Sequence, residues 1–263
     1  MTEQQDWALI LGASSGFGAS AARALAKAGF HIAGVHLDRK ATLPLAEEVQ
    51  TDIRAAGREA RFFNVNAASD EKRAEVLGAL KETLGESGGT VRVLLHSLAF
   101  GTLKPFFPEE GAGINQRNMD MTLDVMAHSL VYWAQGLVSH ELMGEGGRIF
   151  AMTSAGSERV WKSYGAVSAA KSALESHIRQ IALELAPKGI TANAIKAGVT
   201  DTPALRKIPG NEAMIETAAG RNPGGRLTTP EDIAKTLVVL SHRDLNWMTG
   251  NVINVDGGEN ICD

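Results

Sequence analysis

Short apolar runs alternate with longer amphipathic segments along the chain, and this alternation limits the possible folds more than any other feature. Strict strand–helix alternation is typical of a parallel sheet that helices cover on both faces. Right-handed crossovers then give a doubly wound α/β sheet, the Rossmann fold. No linker, repeat or low-complexity segment interrupts residues 1–263, so we predict a single domain. The predicted strands are 7–11, 31–37, 60–65, 91–96, 148–153, 190–195 and 251–255, and the longest predicted helices are 118–143 and 162–186.

Composition excludes several classes of partner. The net charge of −4 and the pI near 6.0 give no reason to expect nucleic acid or a membrane surface. The single cysteine, Cys262, cannot form an intrachain disulfide, which fits a reducing cytoplasm. The first residues do not resemble a signal peptide, and no apolar run approaches the roughly 20 residues that span a bilayer. We therefore expect a cytoplasmic protein, and we predict no metal site.

Three glycines stand between the first predicted strand and the first predicted helix. Gly12, Gly16 and Gly18 allow a tight turn and let the backbone approach a pyrophosphate at the helix N-terminus. This context predicts a dinucleotide site, and a turn that serves only packing is the alternative.

The end of the second strand discriminates between cofactors. A carboxylate there favours NAD, whereas cations favour the 2′-phosphate of NADP. The strand ends near His36 without an acid, and Asp38 is followed by Arg39 and Lys40. We predict NADPH, with NADH as the alternative because of Asp38, which could instead be a helix cap or a loop charge.

The fourth strand ends at His96, and residues 97–99 follow at the sheet edge where a dinucleotide lies. His96 is either a core histidine or a participant in the chemistry. Trp161 and the aromatic residues of the next loop either wall an apolar substrate pocket or fasten the loop to the core. These loop residues are Phe100, Leu103, Phe106 and Phe107.

Tyr164 and Lys171 stand seven residues apart at the start of the predicted helix 162–186. At about 100° per residue their side chains leave the same face, about two turns apart. A tyrosine that acts as an acid near neutral pH needs a nearby cation, because its unperturbed pKa is about 10. Alone, the pair would also fit an ordinary solvated helix face.

The order of these motifs resembles the short-chain dehydrogenase/reductase superfamily over essentially the whole chain. The glycine turn, the strand end 193–198, Thr202 and the closing segment 249–258 carry the resemblance. Most members have Tyr-x3-Lys, whereas Tyr164-x6-Lys171 resembles the enoyl-acyl-carrier-protein reductases of the superfamily. Residues 96–99 also resemble the corresponding strand end of those enzymes.

Departures from the common pattern narrow the resemblance. The first turn keeps the ordinary glycine spacing, and Ser154 stands ten residues before Tyr164, where many enoyl reductases carry a second tyrosine. The glycine turn and the segment 154–159 resemble an NADPH-preferring branch of these enzymes. Met126 occupies the place of the catalytic asparagine of ordinary members, which argues against an ordinary ketoreductase.

The resemblance implies NADPH-dependent reduction of the C2=C3 double bond of a 2-enoyl thioester, carried on acyl carrier protein or coenzyme A, in fatty-acid or related biosynthesis. It implies that Tyr164 donates to the thioester oxygen, that Ser154 is a second donor or orienting group, and that Lys171 binds the nicotinamide ribose. A carbonyl, 3-ketoacyl or enone reductase and a catalytically idle NADP-binding regulator are the alternatives. The residues expected to bind the cofactor are Gly12, Ser14, Ser15, Gly16, Phe17, Gly18, His36, Arg39, Lys40, Asn64, Val65, Ser97, Leu98, Ala99, Lys171, Val199 and Thr202.

Assembly and gating are further expectations. Relatives commonly pair the fourth and central helices across two-fold axes, so we expect a homotetramer. Residues 203–221 are bounded by proline and glycine and are expected to form a mobile helical flap over the substrate. Arg206 and Lys207 in the flap either meet the phosphate of a carrier arm or form solvated surface. The helix residues expected to contact a partner are Leu130, Trp133, Leu174 and Ile178.

Overall fold

All strands of the sheet run parallel in the computed structural model, which describes residues 5–262. The strands are β1 (Asp6–Leu11), β2 (His31–His36), β3 (Ala60–Asn64), β4 (Thr90–His96), β5 (Arg148–Ser154), β6 (Thr191–Ala197) and β7 (Val252–Val255). Their order in the sheet is β3-β2-β1-β4-β5-β6-β7, so the direction of winding reverses between β1 and β4. This reversal is the switch point of a doubly wound sheet, and it confirms the predicted Rossmann fold.

Helices cover both faces of the sheet and create two apolar layers. Successive side chains of a strand point to opposite faces, so Leu9 and Leu11 enter one layer while Ala8 and Ile10 enter the other. The helices are α1 (Gly16–Lys27), α2 (Leu43–Ala55), α3 (Asp70–Ser87), α4 (Gln116–Leu123), α5 (Ser129–Ser139), α6 (Gly165–Leu185), α7 (Asn211–Arg221) and α8 (Pro230–Leu240). Helices α3, α5 and α6 complete the first layer, and α1, α2 and α8 complete the second.

The predicted helix 118–143 differs from the observed one in its end and its regularity. A π-helical turn, Asp124–His128, joins α4 to α5, and the helix ends at Ser139. Glu141 has a left-handed φ of 60°, which turns the chain toward the sheet. The carbonyl of Leu142 then accepts a bond from the backbone N–H of Val91 at 2.8 Å. The expected end at residue 143 is therefore wrong, because Leu142 continues the apolar period but contacts β4.

The central helix α6 begins three residues later than expected. Ser163 has a left-handed φ of 64°, and Tyr164 is the N-cap residue, with φ of −97° and ψ of 0°. Tyr164 therefore stands at the entrance of the helix, while Lys171 lies within its second turn.

The helix faces that were expected to contact a partner subunit are buried inside the protomer. They carry large apolar side chains because α5 and α6 cover the sheet, and each of these side chains is 0% exposed. The expectation that they form a subunit interface is wrong. These residues are Leu130 and Trp133 on α5 and Leu174 and Ile178 on α6.

The segment expected to act as a flap contains the short 3₁₀ helix Leu205–Lys207 and helix α7. Leu205, Ile208 and Ala218 are its buried apolar residues. Within residues 5–262, no helix combines the length and the apolar character that crossing a bilayer requires.

Candidate active site

The glycine turn joins β1 to α1 at the carboxyl edge of the sheet and lies against the end of β4. Gly12 has a φ of +91°, and a Cβ atom there would stand 2.4 Å from the carbonyl oxygen of Ser97. A Cβ atom on Gly18 would stand 2.0 Å from the carbonyl oxygen of Gly12. Both positions therefore require glycine, because a side chain at Gly12 would collide with the backbone after β4 and one at Gly18 would collide with the turn itself.

The start of α1 has the features of a pyrophosphate site. Ser15 is the N-cap residue, yet its hydroxyl makes no capping bond, so the first backbone N–H groups of the helix remain open to an anion. Thr202 borders the same place, because a Cβ atom on Gly16 would stand 3.7 Å from its Cγ2. Ser14, Ser15, Gly16 and Thr202 line a cavity of about 320 Å³. The turn, the open helix end and the hydroxyls together fit the phosphates of a dinucleotide.

Asp38 lies in the loop that follows β2, and its carboxylate is hydrogen-bonded within that region. Its Oδ2 lies 2.8 Å from Nδ1 of His36. Burial opposes ionisation, but hydrogen bonds from Thr42, Ser14 and His36 outweigh it and lower the pKa of Asp38. Asp38 is thus an ionised loop anchor beside the glycine turn.

Asn64 and Val65, both expected to contact the cofactor, brace this loop. Asn64 Oδ1 accepts from the backbone N–H of Asp38 at 2.9 Å, and Asn64 Nδ2 donates to the Asp38 carbonyl at 3.0 Å. The Val65 N–H donates to the carbonyl of His36 at 2.8 Å. These groups hold the loop, and the side chains of Arg39 and Lys40 project from it exposed.

Tyr164 packs against the loop that follows β5. A Cβ atom on Gly156 would stand 2.6 Å from Tyr164 Cε1 and 3.2 Å from Ser154 Oγ. Glycine at position 156 thus lets the phenol ring lie beside Ser154. Burial raises the pKa of Tyr164, while the Ser154 hydroxyl acts in the opposite direction. Sequence reasoning missed Gly156, because its small size matters only through this contact.

Lys171 is buried under the same strand end. Its Nζ donates to the carbonyl oxygen of Met152 at 2.7 Å. Burial lowers the pKa of Lys171 to about 8, and the charge of Glu175 acts upward. The structure thus places Tyr164 beside Ser154 and binds Lys171 to Met152, two residues before Ser154 on β5. A catalytic role for these three residues remains a prediction.

His96 occupies the position of a core histidine. Its side chain is completely buried, and its Nε2 lies 2.9 Å from Ser129 Oγ, just after the π-helical turn. Burial, with a contribution from Lys171, lowers the pKa of His96 to about 3, so the ring is neutral at physiological pH. Met126 is also buried and packs on the loop at Gly101, so it offers no polar group here.

The segment after β6 contains Val199 and Thr202, which were both expected to bind the cofactor, but only Thr202 borders the phosphate cavity. The N–H of Val199 donates to Glu259 Oε2 at 2.9 Å, so that N–H is already paired. Glu259 is buried, and burial raises the pKa of its carboxyl. Of the two predicted cofactor contacts in this segment, Thr202 borders the phosphate cavity, whereas Val199 has only its carbonyl and side chain to offer.

Two aromatic side chains, those of Phe106 and Trp161, lie close to the start of α6 at Tyr164. A Cβ atom on Gly165 would stand 2.5 Å from Phe106 Cζ, so this ring lies over the start of α6. Trp161 Nε1 donates to the carbonyl of Pro209 at 3.0 Å and links this region to the flap segment. Phe107 is 93% exposed and is not a core contact. Arg206 is exposed and pairs with Asp201 through two bonds of 2.7 and 2.8 Å.

Comparison with known proteins gives three kinds of similarity. A family model described as enoyl-(acyl carrier protein) reductase matches residues 12–260. The NADPH enoyl-(acyl-carrier-protein) reductase FabI of Staphylococcus aureus is 30% identical over 206 residues, 76% of this chain and 75% of the relative. The 1-cyclohexenylcarbonyl-CoA reductase of Streptomyces collinus is 29% identical over 261 residues, 98% of this chain and 88% of the relative. The crystal structure of the NADH enoyl-(acyl-carrier-protein) reductase from Aquifex aeolicus superposes with a TM-score of 0.81 at 27% identity, covering 99% of this chain and 98% of that one.

Proposed function

The chain belongs to the enoyl-(acyl carrier protein) reductase family, and from this premise we propose that it reduces the C2=C3 double bond of a 2-enoyl thioester. It is an oxidoreductase that uses a nicotinamide cofactor. The observation that carries the proposal is a half-buried Tyr164, held by Gly156 beside Ser154, together with a buried Lys171 that donates to Met152 of the same strand. Met126 at the place of the asparagine of ordinary members supports an enoyl rather than a carbonyl substrate.

The side chains of this site have separable tasks in the proposed reaction. A reduced nicotinamide, when bound, supplies the hydride. The Tyr164 hydroxyl donates to the thioester oxygen, where negative charge develops as the double bond is reduced. Burial keeps Tyr164 protonated at neutral pH, so it has a proton to give. Lys171 supplies the positive field that favours loss of that proton and binds the nicotinamide ribose, and Ser154 orients the phenol.

We propose NADPH as the preferred cofactor. The support is the contrast within one loop, where Asp38 is engaged by His36 while Arg39 and Lys40 are exposed. Exposed cations are available for charge-assisted bonds to a 2′-phosphate. The similar enzyme of Staphylococcus aureus is named for NADPH and that of Aquifex aeolicus for NADH, so the relatives leave this choice to the residues of this chain.

The remaining parts of the proposal are the carrier, the compartment and the assembly. The acyl group is a thioester of acyl carrier protein or coenzyme A, the two carriers in the names of the similar enzymes. The compartment is the cytoplasm, and the pathway is fatty-acid or related biosynthesis. The assembly is a homotetramer, which rests on the resemblance alone since the expected interface residues are buried within the protomer. A light-scattering mass near 27.9 kDa would exclude the tetramer.

One assay tests the proposed function against its alternatives. The protein is mixed with NADPH and either crotonyl-CoA or acetoacetyl-CoA, and the absorbance of the reduced nicotinamide is followed. We expect oxidation of NADPH with crotonyl-CoA and little with acetoacetyl-CoA. The reverse result identifies a ketoreductase, and no oxidation with either thioester, although NADPH binds, identifies a catalytically idle protein.

A further inference from the structure

Lys196 is a buried lysine that neither the predicted catalytic group nor the predicted cofactor site includes. Its side chain is 3% exposed on β6, and lysine is rarely buried so fully unless it is paired. Its Nζ lies 2.6 Å from Glu158 Oε1 and 3.8 Å from Glu175 Oε1. The carboxylates of Glu158 and Glu175 therefore both lie within 3.8 Å of one buried ammonium group, on the strand that pairs with the end of β5.

Glu175 connects this ammonium to the candidate active site. It follows Lys171 by four residues on α6, so the two side chains share one helix face. Glu175 Oε1 accepts from the hydroxyl of Thr153 at 2.7 Å, while Lys171 Nζ donates to Met152, the preceding residue of β5. Glu175 is itself buried, its carboxylate lies 3.8 Å from Lys196 Nζ, and its charge raises the pKa of Lys171.

Glu158 fixes the position of Lys196 from the other side. It follows the short 3₁₀ helix Ala155–Ser157, which comes directly after Ser154 and contains Gly156, and its side chain is 58% exposed. The hydrogen bond from Lys196 lowers the pKa of Glu158, so this carboxyl is ionised at neutral pH. The cluster thus runs from solvent at Glu158, through Lys196 and Glu175, to Lys171.

The other titratable groups near Lys171 add little charge. His96 of β4 is neutral because the pKa of its buried ring is lowered to about 3. Tyr164 at the start of α6 is neutral because burial raises its pKa. The charge that acts on Lys171 is therefore that of Glu175 on its own helix, and Lys196 of β6 lies 3.8 Å from the same carboxylate.

We propose that Lys196 is a positioning residue that shares Glu175 with Lys171 and thereby sets the charge state of Lys171. Without Lys196, the field of Glu175 acts on Lys171 alone and stabilises its ammonium form. Without Glu175, two buried ammonium groups remain with no carboxylate between them, and the ammonium form of Lys171 is destabilised. The two substitutions have opposite signs, which loss of packing alone does not produce. This inference rests on the proposed function only where it gives Lys171 a catalytic task.

The test is a direct titration of Lys171 in the cofactor-free protein, followed by ¹³Cε NMR of lysine-labelled samples. The Lys171 signal is identified by its loss in Lys171→Arg. We expect Lys196→Met to raise the pKa of Lys171 by about one unit and Glu175→Gln to lower it by about one unit. Lys196→Arg keeps the positive charge and should restore the wild-type titration. Lys188→Met, which removes an exposed lysine, should leave the titration unchanged.

The double variant Lys196→Met/Glu175→Gln keeps the test possible if a single variant fails to fold. It removes the ammonium and the carboxylate together, so neither of these two buried charges is left without the other. Its Lys171 should titrate above that of Glu175→Gln alone. The proposal is overturned if Lys196→Met leaves the pKa of Lys171 unchanged, or shifts it in the same direction as Glu175→Gln does.

Enzyme assays separate this inference from the proposed function. If the protein reduces enoyl thioesters, the pH profile of kcat/KM should shift in opposite directions in Lys196→Met and Glu175→Gln. Opposite NMR shifts in a protein that reduces no enoyl thioester would overturn the proposed function and retain the coupling. Enoyl reduction without opposite NMR shifts would overturn the coupling alone.

Discussion

The two edges of the parallel sheet use buried polar groups for different ends. At the amino edge, Arg148 donates to four backbone carbonyls, of which those of His242 and Arg243 follow the end of α8. Arg92 pairs with Asp6 at 3.0 Å and also donates to the carbonyl of Ser241. Cations at a helix C-terminus stabilise the exposed carbonyls and the helix dipole.

The carboxyl edge leaves comparable groups open. Ser15 stands at the start of α1 without capping it, and Gly12 and Gly156 lack side chains at positions where a side chain would block a close contact. Lys171 satisfies one of its donors on Met152 and keeps the others. The arginines of the amino edge thus hold the end of α8, whereas the carboxyl edge keeps unpaired donors beside the glycine turn and at Lys171. We therefore expect substitution of the amino-edge arginines to change stability and substitutions at and beside Tyr164 to change turnover.

The largest effect is expected for Tyr164→Phe at the carboxyl edge. Enoyl-thioester turnover should fall by about 10²- to 10³-fold, the loss that follows removal of one oxyanion donor. NADPH affinity should stay within about twofold, because the ring that fills the site remains. Steady-state kinetics and fluorescence titration measure the two quantities. Tyr132→Phe, which alters the other tyrosine of the chain, is the control, and a wild-type rate in Tyr164→Phe would refute the assigned role.

Arg148→Met tests the amino edge. Loss of its donors leaves buried carbonyls unpaired, and the free energy of unfolding should fall by about 3 kcal/mol. The catalytic constants of the folded enzyme at low temperature should be unchanged. Arg243→Ala is the control, since it removes a partly exposed ion pair with Asp6 and should cost less than about 1 kcal/mol. Equal losses in denaturant titrations would contradict the comparison.

Gly156→Ala adds a single methyl group at the carboxyl edge. Because that carbon would stand 2.6 Å from Tyr164, the phenol must move, and turnover should fall about tenfold or more. Gly144→Ala is the matched control, because a Cβ atom there meets nothing within 4 Å. If kcat in Gly156→Ala equals that of the control, Gly156 does not position Tyr164.

Arg39→Ala/Lys40→Ala tests the cofactor proposal. Loss of two exposed cations should weaken NADPH binding about tenfold and change NADH binding little. Asp38→Asn is the companion variant, and it should disturb both cofactors through the loop it anchors with His36. Fluorescence titration with each cofactor measures the effect, and equal losses of both in the double variant would count against NADPH.

The smallest effect is expected for Thr229→Ala. Thr229 is the N-cap residue of α8, whereas Arg92 and Arg148 bind the carbonyls at the C-terminal end of that helix. Thr229 and Asp232 form a capping box, and its loss should cost about 1 kcal/mol of unfolding free energy. Thr236→Ala makes the same truncation inside the helix and should cost less. A loss equal to that of Arg148→Met would mean that both ends of α8 are held equally.

The sequence alone determined the strand–helix order, the glycine turn and the Tyr164–Lys171 pair. These features are encoded by neighbours along the chain, through apolar periods, turn residues and helix spacing. The same local patterns predict an end of α5 that is too late in the chain. Leu142 continues the helical period of apolar residues, but its carbonyl accepts from Val91 of β4.

Tertiary contacts determine which groups are paired and which remain open. They turn Leu174 into the core rather than toward a partner, engage the Val199 N–H with Glu259, and place Lys196 between Glu158 and Glu175. Each of these contacts joins residues that are far apart in the chain or in different elements. Burial and electrostatic energy depend on what packs around a group in three dimensions, and no local pattern records that.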